Sequence, residues 1–253
     1  MRIRAVVTAG VLALIVTTTA CSGGVGGGGG VFRQYEYEED VYLSLDGTAT
    51  MYVNASIPAL DALRGTSFDT TPNRPVDRAA VRALFSTPVT HVNGQVNVSR
   101  RSNRRFVHVK IDVDDIRRLG EAAPFAWSTY SLALDDDRYV YRQAVGAAAG
   151  KDVGDVGWNG QESVAFRLHP PSKIDFHNTG REVRGNILIW EQLLTDRLRG
   201  IPLAIEARLE TQSILYRTLW LFGWTFVAVA ITFVLVIWWV LRRVPAAAEK
   251  RIA

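Results

Sequence analysis

Residues 219–241, LWLFGWTFVAVAITFVLVIWWVL, run for 23 positions without a charged side chain. At ~1.5 Å rise per residue, a helix of that length crosses a hydrocarbon core of ~30 Å with some tilt. The core helix of a soluble fold has no need of so long an apolar run, so the stretch predicts a membrane-spanning helix. Trp220 and Trp224 stand near one end and Trp238 and Trp239 near the other, where indole rings favour the headgroup level. Arg242, Arg243, Lys250 and Arg251 follow at once, and basic flanks are kept on the cytoplasmic side. The expectation is a single pass, with 242–253 as a short basic cytoplasmic tail and the preceding chain outside the cell membrane.

The formal charge of +4 has to be divided along the chain before it implies a partner. The four basic residues after the apolar run outweigh Glu249, and Arg2 and Arg4 stand unopposed at the start. Residues 22–218 then hold 23 Lys and Arg against 24 Asp and Glu. The basic character therefore belongs to the membrane flanks. A nucleic-acid-binding domain would carry its own basic excess, and none is expected here.

Residues 5–16 form an apolar run too short to span comfortably, preceded by Arg2 and Arg4 and followed by Thr18-Thr19-Ala20-Cys21. This pattern resembles a bacterial lipoprotein signal, which implies cleavage before Cys21 and lipidation of its sulfur. Thr18 stands where that family usually has leucine, and an uncleaved signal anchor is the alternative. Cys21 is the only cysteine, so neither a disulfide framework nor a thiolate zinc cluster is expected. Residues 22–31 read as a tether. Within it Gly24, Gly26 and Gly29 match the spacing of a dinucleotide loop, but a strand and helix must flank such a loop for its backbone to meet a phosphate.

From 32 to 212 the chain reads as one α+β domain, mainly antiparallel, with seven to nine strands and two or three short helices. Residues 34–45 and 48–57 alternate apolar and polar positions about Asp46-Gly47, a dipeptide that favours a type I′ turn. Apolar spacing over 76–85 predicts a short amphipathic helix. A second hairpin, 89–98 and 106–113, is expected around a polar loop from Ser99 to Arg105. Residues 116–123 read as a helix capped by Asp112, Asp114 and Asp115, whose spacing fails the calcium-loop pattern at Ile116 and Arg117. Strands follow at 125–134 and 138–146 around Asp135-Asp136-Asp137, then a loop over 146–160. Further strands are expected at 163–168, 186–190 and 202–208, with Leu193, Leu194 and Leu198 on one side of a short helix between the last two.

The second hairpin carries Arg100, Arg101, Arg104 and Arg105, four guanidinium groups in six residues. Either they splay into water at a solvated turn, or they contact anionic lipid headgroups or a phosphorylated ligand through their planar forks.

A lipobox-like cysteine, an opening hairpin, a short helix, further hairpins, the turn Asn178-Thr179-Gly180, a strand ending in Trp190 and a C-terminal apolar helix with basic residues behind it make up a layout. It resembles the LppM-type lipoproteins of actinobacteria over about residues 21–243. The resemblance implies an envelope-associated α+β domain held at a membrane, with binding of polyanionic lipids, and offers no catalytic residues to carry over.

The residues themselves give no enzymatic signature. There is no G-x-S-x-G elbow, no G-K-[ST] phosphate loop and no H-E-x-x-H pair. His91, His108, His169 and His177 are scattered, with His91 and His108 expected to face each other across the second hairpin. The expectation is a non-enzymatic protein without cofactor or metal. Its partners would be the membrane and an anionic lipid or glycolipid; the alternative is a scaffold that docks another envelope protein. A lipid-binding domain predicts an apolar pocket near the arginines, and a scaffold predicts an exposed apolar patch.

Overall fold

In the computed structural model, which describes residues 35–183 and 186–243, β1 (Tyr37–Leu43) and β2 (Ala49–Ser56) form the first hairpin. Only Gly47 of its turn has positive φ, 98°, and Gly47 N–H donates to the Ser44 carbonyl at 3.1 Å. A type I turn followed by a left-handed glycine replaces the expected type I′ geometry. Asp46 braces it by accepting from Thr48 N–H at 2.9 Å. The leader, Cys21, the tether and the tail beyond 243 lie outside the described residues.

The fold is α+β, with twelve strands in two mostly antiparallel sheets, a few short helices and one long apolar helix at the C-terminus. α1 (Ile57–Arg64), α2 (Arg78–Phe85), β3 (Thr90–Val92), β4 (Asn97–Arg101) and β5 (Arg104–Val113) follow the first hairpin. After two 3₁₀ turns come β6 (Ser128–Asp135), β7 (Arg138–Val145), β8 (Ser163–His169), β9 (Ser172–His177), β10 (Arg181–Val183) and β11 (Ile187–Leu193). α3 (Leu194–Leu198), β12 (Leu203–Ser213) and α4 (Ile214–Arg243) complete the chain.

The first sheet runs β10-β11-β8-β1-β2-β5-β3 with β4 also on β5, and the second runs β6-β7-β12-β9. The pair β1/β8 is parallel. Alternation places Tyr37, Glu39, Val41 and Leu43 inward and Glu38, Asp40 and Tyr42 outward on β1. Tyr130 and Gln143 of the second sheet both reach Glu39 of the first, at 3.4 Å each, so the inner faces of the two sheets meet.

The sequence reading ends β2 in a break at Pro58; instead Ser56 caps α1 by accepting from Ala59 N–H at 3.1 Å, and Pro58 sits in the first turn. Its apolar face is buried along the whole helix, and Gly65 closes it in the left-handed region at φ 72°. Residues 116–123 form 3₁₀ turns rather than an α-helix, with Asp115 accepting from Arg117 N–H. The strand expected at 89–98 is divided into β3 and β4, and the additional strands β9 and β10 have six and three residues, too short for their alternation to stand out in sequence.

α4 is long and apolar enough to cross a membrane, and its side chains make no core with the domain. Thr218, Thr225 and Thr232 return their hydroxyls to the carbonyls four residues earlier, each at 2.8 Å, which satisfies them without a partner helix. Ile214 N–H donates to the Pro171 carbonyl at 3.0 Å, tying the start of α4 to the turn after β8.

Candidate functional site

The arginine hairpin turns at Ser102-Asn103, both with positive φ (48° and 58°), the two-residue type I′ geometry that matches strand twist. The expected seven-residue loop is therefore absent. Arg100 lies opposite Arg105 and Arg101 opposite Arg104 within the strand pairing. Like charges facing each other across strands destabilise a hairpin. Here each guanidinium leaves the pair for acceptors of its own.

Arg104 turns to Glu36 at 2.8 Å and to the carbonyls of Val156 and Gly157 at 3.3 and 3.0 Å. Arg101 donates to the Tyr35 carbonyl at 3.0 Å and lies over the Phe106 ring at 4.1 Å. Burial, the largest effect, lowers the Arg101 pKa, with the Glu36 charge opposing it and the Arg104 charge adding to it. Arg105 is buried and donates to the carbonyls of Asp69 and Arg74, whereas Arg100 is exposed and donates to the Pro72 carbonyl and to Asn73 Oδ1 at 2.7 Å. Arg100 and Arg105 thus strap residues 69–74 over the hairpin, while Arg101 and Arg104 hold the N-terminal entry to β1 and the 156–157 loop.

Two clefts flank this strap. One, of about 470 Å³, is lined by Arg74, Arg78, Arg100 and Arg105 together with Pro72, Pro75, Val76 and Val98. Arg74 and Arg78 are exposed; the carboxylate paired with Arg74, on Asp69, stands 4.0 Å away. The other, of about 480 Å³, lies between Pro58, Asn103, Arg104 and residues 153–157. The sequence reading named Arg100 and Arg105 but missed Arg74 and Arg78. Arg74 lies in the segment before α2, held by the Arg100 and Arg105 straps, and Arg78 in the first turn of α2, which packs into the core through Val81 and Phe85.

The hairpin tip and the start of α4 lie at opposite ends of the first sheet. Val107 pairs with Ala55 and Ala55 with Tyr37, at the beginning of β1, whereas His169, just before the Pro171 anchor of α4, pairs with Tyr42 near its end. The separation between these two positions along β1 is about 17 Å. A cleft of about 610 Å³ occupies the α4 end, lined by Tyr42, Asp112, Asp114, His169, Pro170 and Pro171. There His169 stacks on Tyr42 at 3.9 Å and contacts Asp40 at 2.6 Å.

The histidines are kept apart. His91 pairs with Asp112 in strand register and contacts Asp114 at 3.2 Å, while His108 lies opposite Asn97. No group of three His, Cys, Asp or Glu suited to a metal occurs among the described residues. His108 Nδ1 donates to Asn54 Oδ1 at 2.9 Å, and Nε2 meets the Ser99 hydroxyl, which can donate or accept, at 2.7 Å. Burial first and the Arg101 charge second push its pKa down.

No protein-family model matches the chain. No curated protein matches it either. Among solved structures, the chain is similar to the folded domain of Mycobacterium tuberculosis LppM, determined by NMR, at 14% identity and a TM-score of 0.39, covering 76% of this chain and 99% of that one.

Proposed function

We propose that the protein is a membrane-anchored envelope component whose domain binds the anionic headgroup of a lipid or glycolipid. The observation that carries this reading is the cleft where exposed Arg74, Arg78 and Arg100 surround Pro72, Pro75, Val76 and Val98. Planar guanidinium forks match phosphate and carboxylate geometry, and the adjoining apolar surface suits the first part of an acyl or glycosyl stem. Arg105 is buried below and already engaged with two carbonyls, so it supports the wall electrostatically rather than meeting the ligand. Arg101 and Arg104 act as braces.

Because this cleft and the start of α4 occupy opposite ends of the first sheet, the headgroup is met at least about 17 Å from the anchor. Capture there favours an amphiphile carried by, or facing, another envelope layer over one embedded beside α4. The alternative, docking of an envelope protein, draws on the exposed Tyr42 and Tyr52, whose rings meet edge-on at 5.6 Å on the uncovered face of the first sheet.

The test is native mass spectrometry of the full chain released from micelles, after titration with a short-chain phosphatidic acid and with phosphatidylcholine of the same chain length. Saturable uptake of the anionic lipid alone, lost in Arg74→Ala/Arg78→Ala/Arg100→Ala, is the expected result. Equal uptake of both lipids, or uptake undiminished in the triple variant, would overturn the reading.

A further inference from the structure

Arg197, on α3, has no exposed surface. Its acceptors are neutral: Gln192 Oε1 at 3.2 Å and the Gly146 carbonyl. Arg64, at the end of α1, is nearly as buried, and its Nη2 meets Glu39 Oε1 at 2.5 Å. Both guanidinium carbons lie against one indole, 3.5 Å (Arg64) and 5.3 Å (Arg197) from the Trp127 ring centroid. Four buried nitrogens in this cluster have no acceptor: Arg64 Nε and Nη1, Arg197 Nε and Trp127 Nε1.

Arginine is seldom fully buried without a counter-charge, because desolvating the cation costs several kcal/mol. Each unsatisfied buried donor adds to that penalty. Glu39 answers the charge of Arg64, but no carboxylate of the described residues lies within ion-pairing distance of Arg197. One oxyanion would supply both the missing charge and acceptor oxygens. Glu39 would repel it from the Arg64 side, so it is drawn toward Arg197.

The segment from Gly146, whose carbonyl accepts from Arg197 and whose N–H donates to the Trp127 carbonyl, adjoins the cluster. Residues 146–151 begin the irregular connection between β7 and β8 and rest on α1 through two backbone bonds, Ala149 N–H to the Leu63 carbonyl at 3.0 Å and Lys151 N–H to the Ala62 carbonyl at 3.2 Å. Glycines with positive φ at 150, 154, 157 and 160 punctuate that connection. A connection of this length without regular structure inside a compact domain is characteristic of functional loops.

We infer that Arg197, Arg64 and Trp127 form a second, buried site for a single oxyanion, a carboxylate or phosphate group, admitted when residues 146–151 lift. The site is independent of the exposed arginine cleft.

The experiment uses the full chain in neutral-detergent micelles at fixed ionic strength, titrated with inorganic phosphate or acetate against chloride. At ten times the dissociation constant, Tm should rise by about 3–6 °C, with slower amide exchange over residues 146–151. Arg197→Met should melt at or above the wild type without anion, since an apolar replacement relieves the unpaired charge, and should lose the anion response. Arg78→Ala, in the exposed cleft, should keep it. A response to phosphate alone assigns a phosphate group, and a response to both anions assigns any small oxyanion. Absence of both the Tm shift and the exchange protection in the wild type, as when water satisfies the donors, would overturn the inference. So would an anion response retained in Arg197→Met. If that variant does not fold, the wild-type exchange measurement alone decides.

Discussion

Arg104 Nη2 lies 2.8 Å from Glu36 Oε1, with 10% and 5% of the two side chains exposed, so the most acid-bound arginine of the hairpin is a brace. Arg104→Ala leaves Glu36 with the Trp158 indole N–H, 3.4 Å away, as its remaining side-chain hydrogen-bond partner, and with the Arg101 charge nearby. Removing one member of a buried pair strands the other charge, and a loss of about 3 kcal/mol is expected. Chemical denaturation of the full chain in micelles measures it, and a loss below about 0.5 kcal/mol would refute the brace.

Arg78 should behave in the opposite way. It is exposed in the first turn of α2, where the helix dipole already disfavours a cation. Arg78→Ala should therefore leave stability within about 0.5 kcal/mol of the wild type while weakening anionic-lipid uptake. Unchanged uptake would remove Arg78 from the proposed cleft.

The hydrogen-bonded series from Ser99 through His108 to Asn54, whose Nδ2 donates to Glu38 Oε2 at 3.1 Å, gives a pH signature. His108 is held neutral, and its folded-state pKa lies below the unfolded value of about 6.5. The unfolded chain then binds the extra proton first, so this contribution is complete above about pH 6.5 and is lost as pH falls toward the lower folded value. His108→Gln should flatten the fall in Tm between pH 6.5 and 5 relative to the wild type. An equally steep fall would assign the dependence to other groups.

For α4, one charge decides. Ala228→Lys places an ammonium near the middle of the span, where insertion is disfavoured by about 2.5–3.5 kcal/mol. Expressed behind a cleavable secretory signal in place of residues 1–21, so that neither a lipid nor the leader can hold the chain, the variant should shift from the membrane pellet to the alkaline extract, while the same chain with Ala228 stays in the pellet. Loss of the Ala228 chain to the extract would show that α4 does not anchor it, and full retention of the Ala228→Lys chain would refute the expected cost of the charge.

Local rules carried much of the fold. Asp46-Gly47 located the first hairpin because left-handed glycine and an aspartate that caps its own turn act within five residues, although the turn type differed. The apolar run of α4 was legible for the same reason. α1 was obscured by Pro58, read as a strand stop when Ser56 before it and Gly65 after it are helix caps. The arginine cluster was visible as composition, but not the partners that divide it, since Glu36, Asp69 and Val156 are 68, 36 and 52 residues away from the arginines they meet. The Arg197 cluster was invisible, being assembled from α1, α3 and the segment before β6. No local pattern marks a buried cation.

Gly146 tests how tightly that cluster is held. A Cβ there would stand 2.8 Å from the Trp127 carbonyl oxygen, a backbone atom that cannot swing aside. The Gly146 N–H donates to that same oxygen at 2.7 Å, and the Gly146 carbonyl accepts from Arg197. Gly146→Ala must therefore separate β7 from the segment before β6 and move an acceptor of the buried guanidinium. Overpacking of this kind costs about 1–3 kcal/mol. Gly180→Ala, with nothing within 4 Å of the added carbon, is the control and should stay within about 0.5 kcal/mol of the wild type. Amide exchange should also accelerate over residues 146–151 in the first variant and not in the second. Equal stability and equal exchange in the two would mean that the covering segment yields without disturbing Arg197.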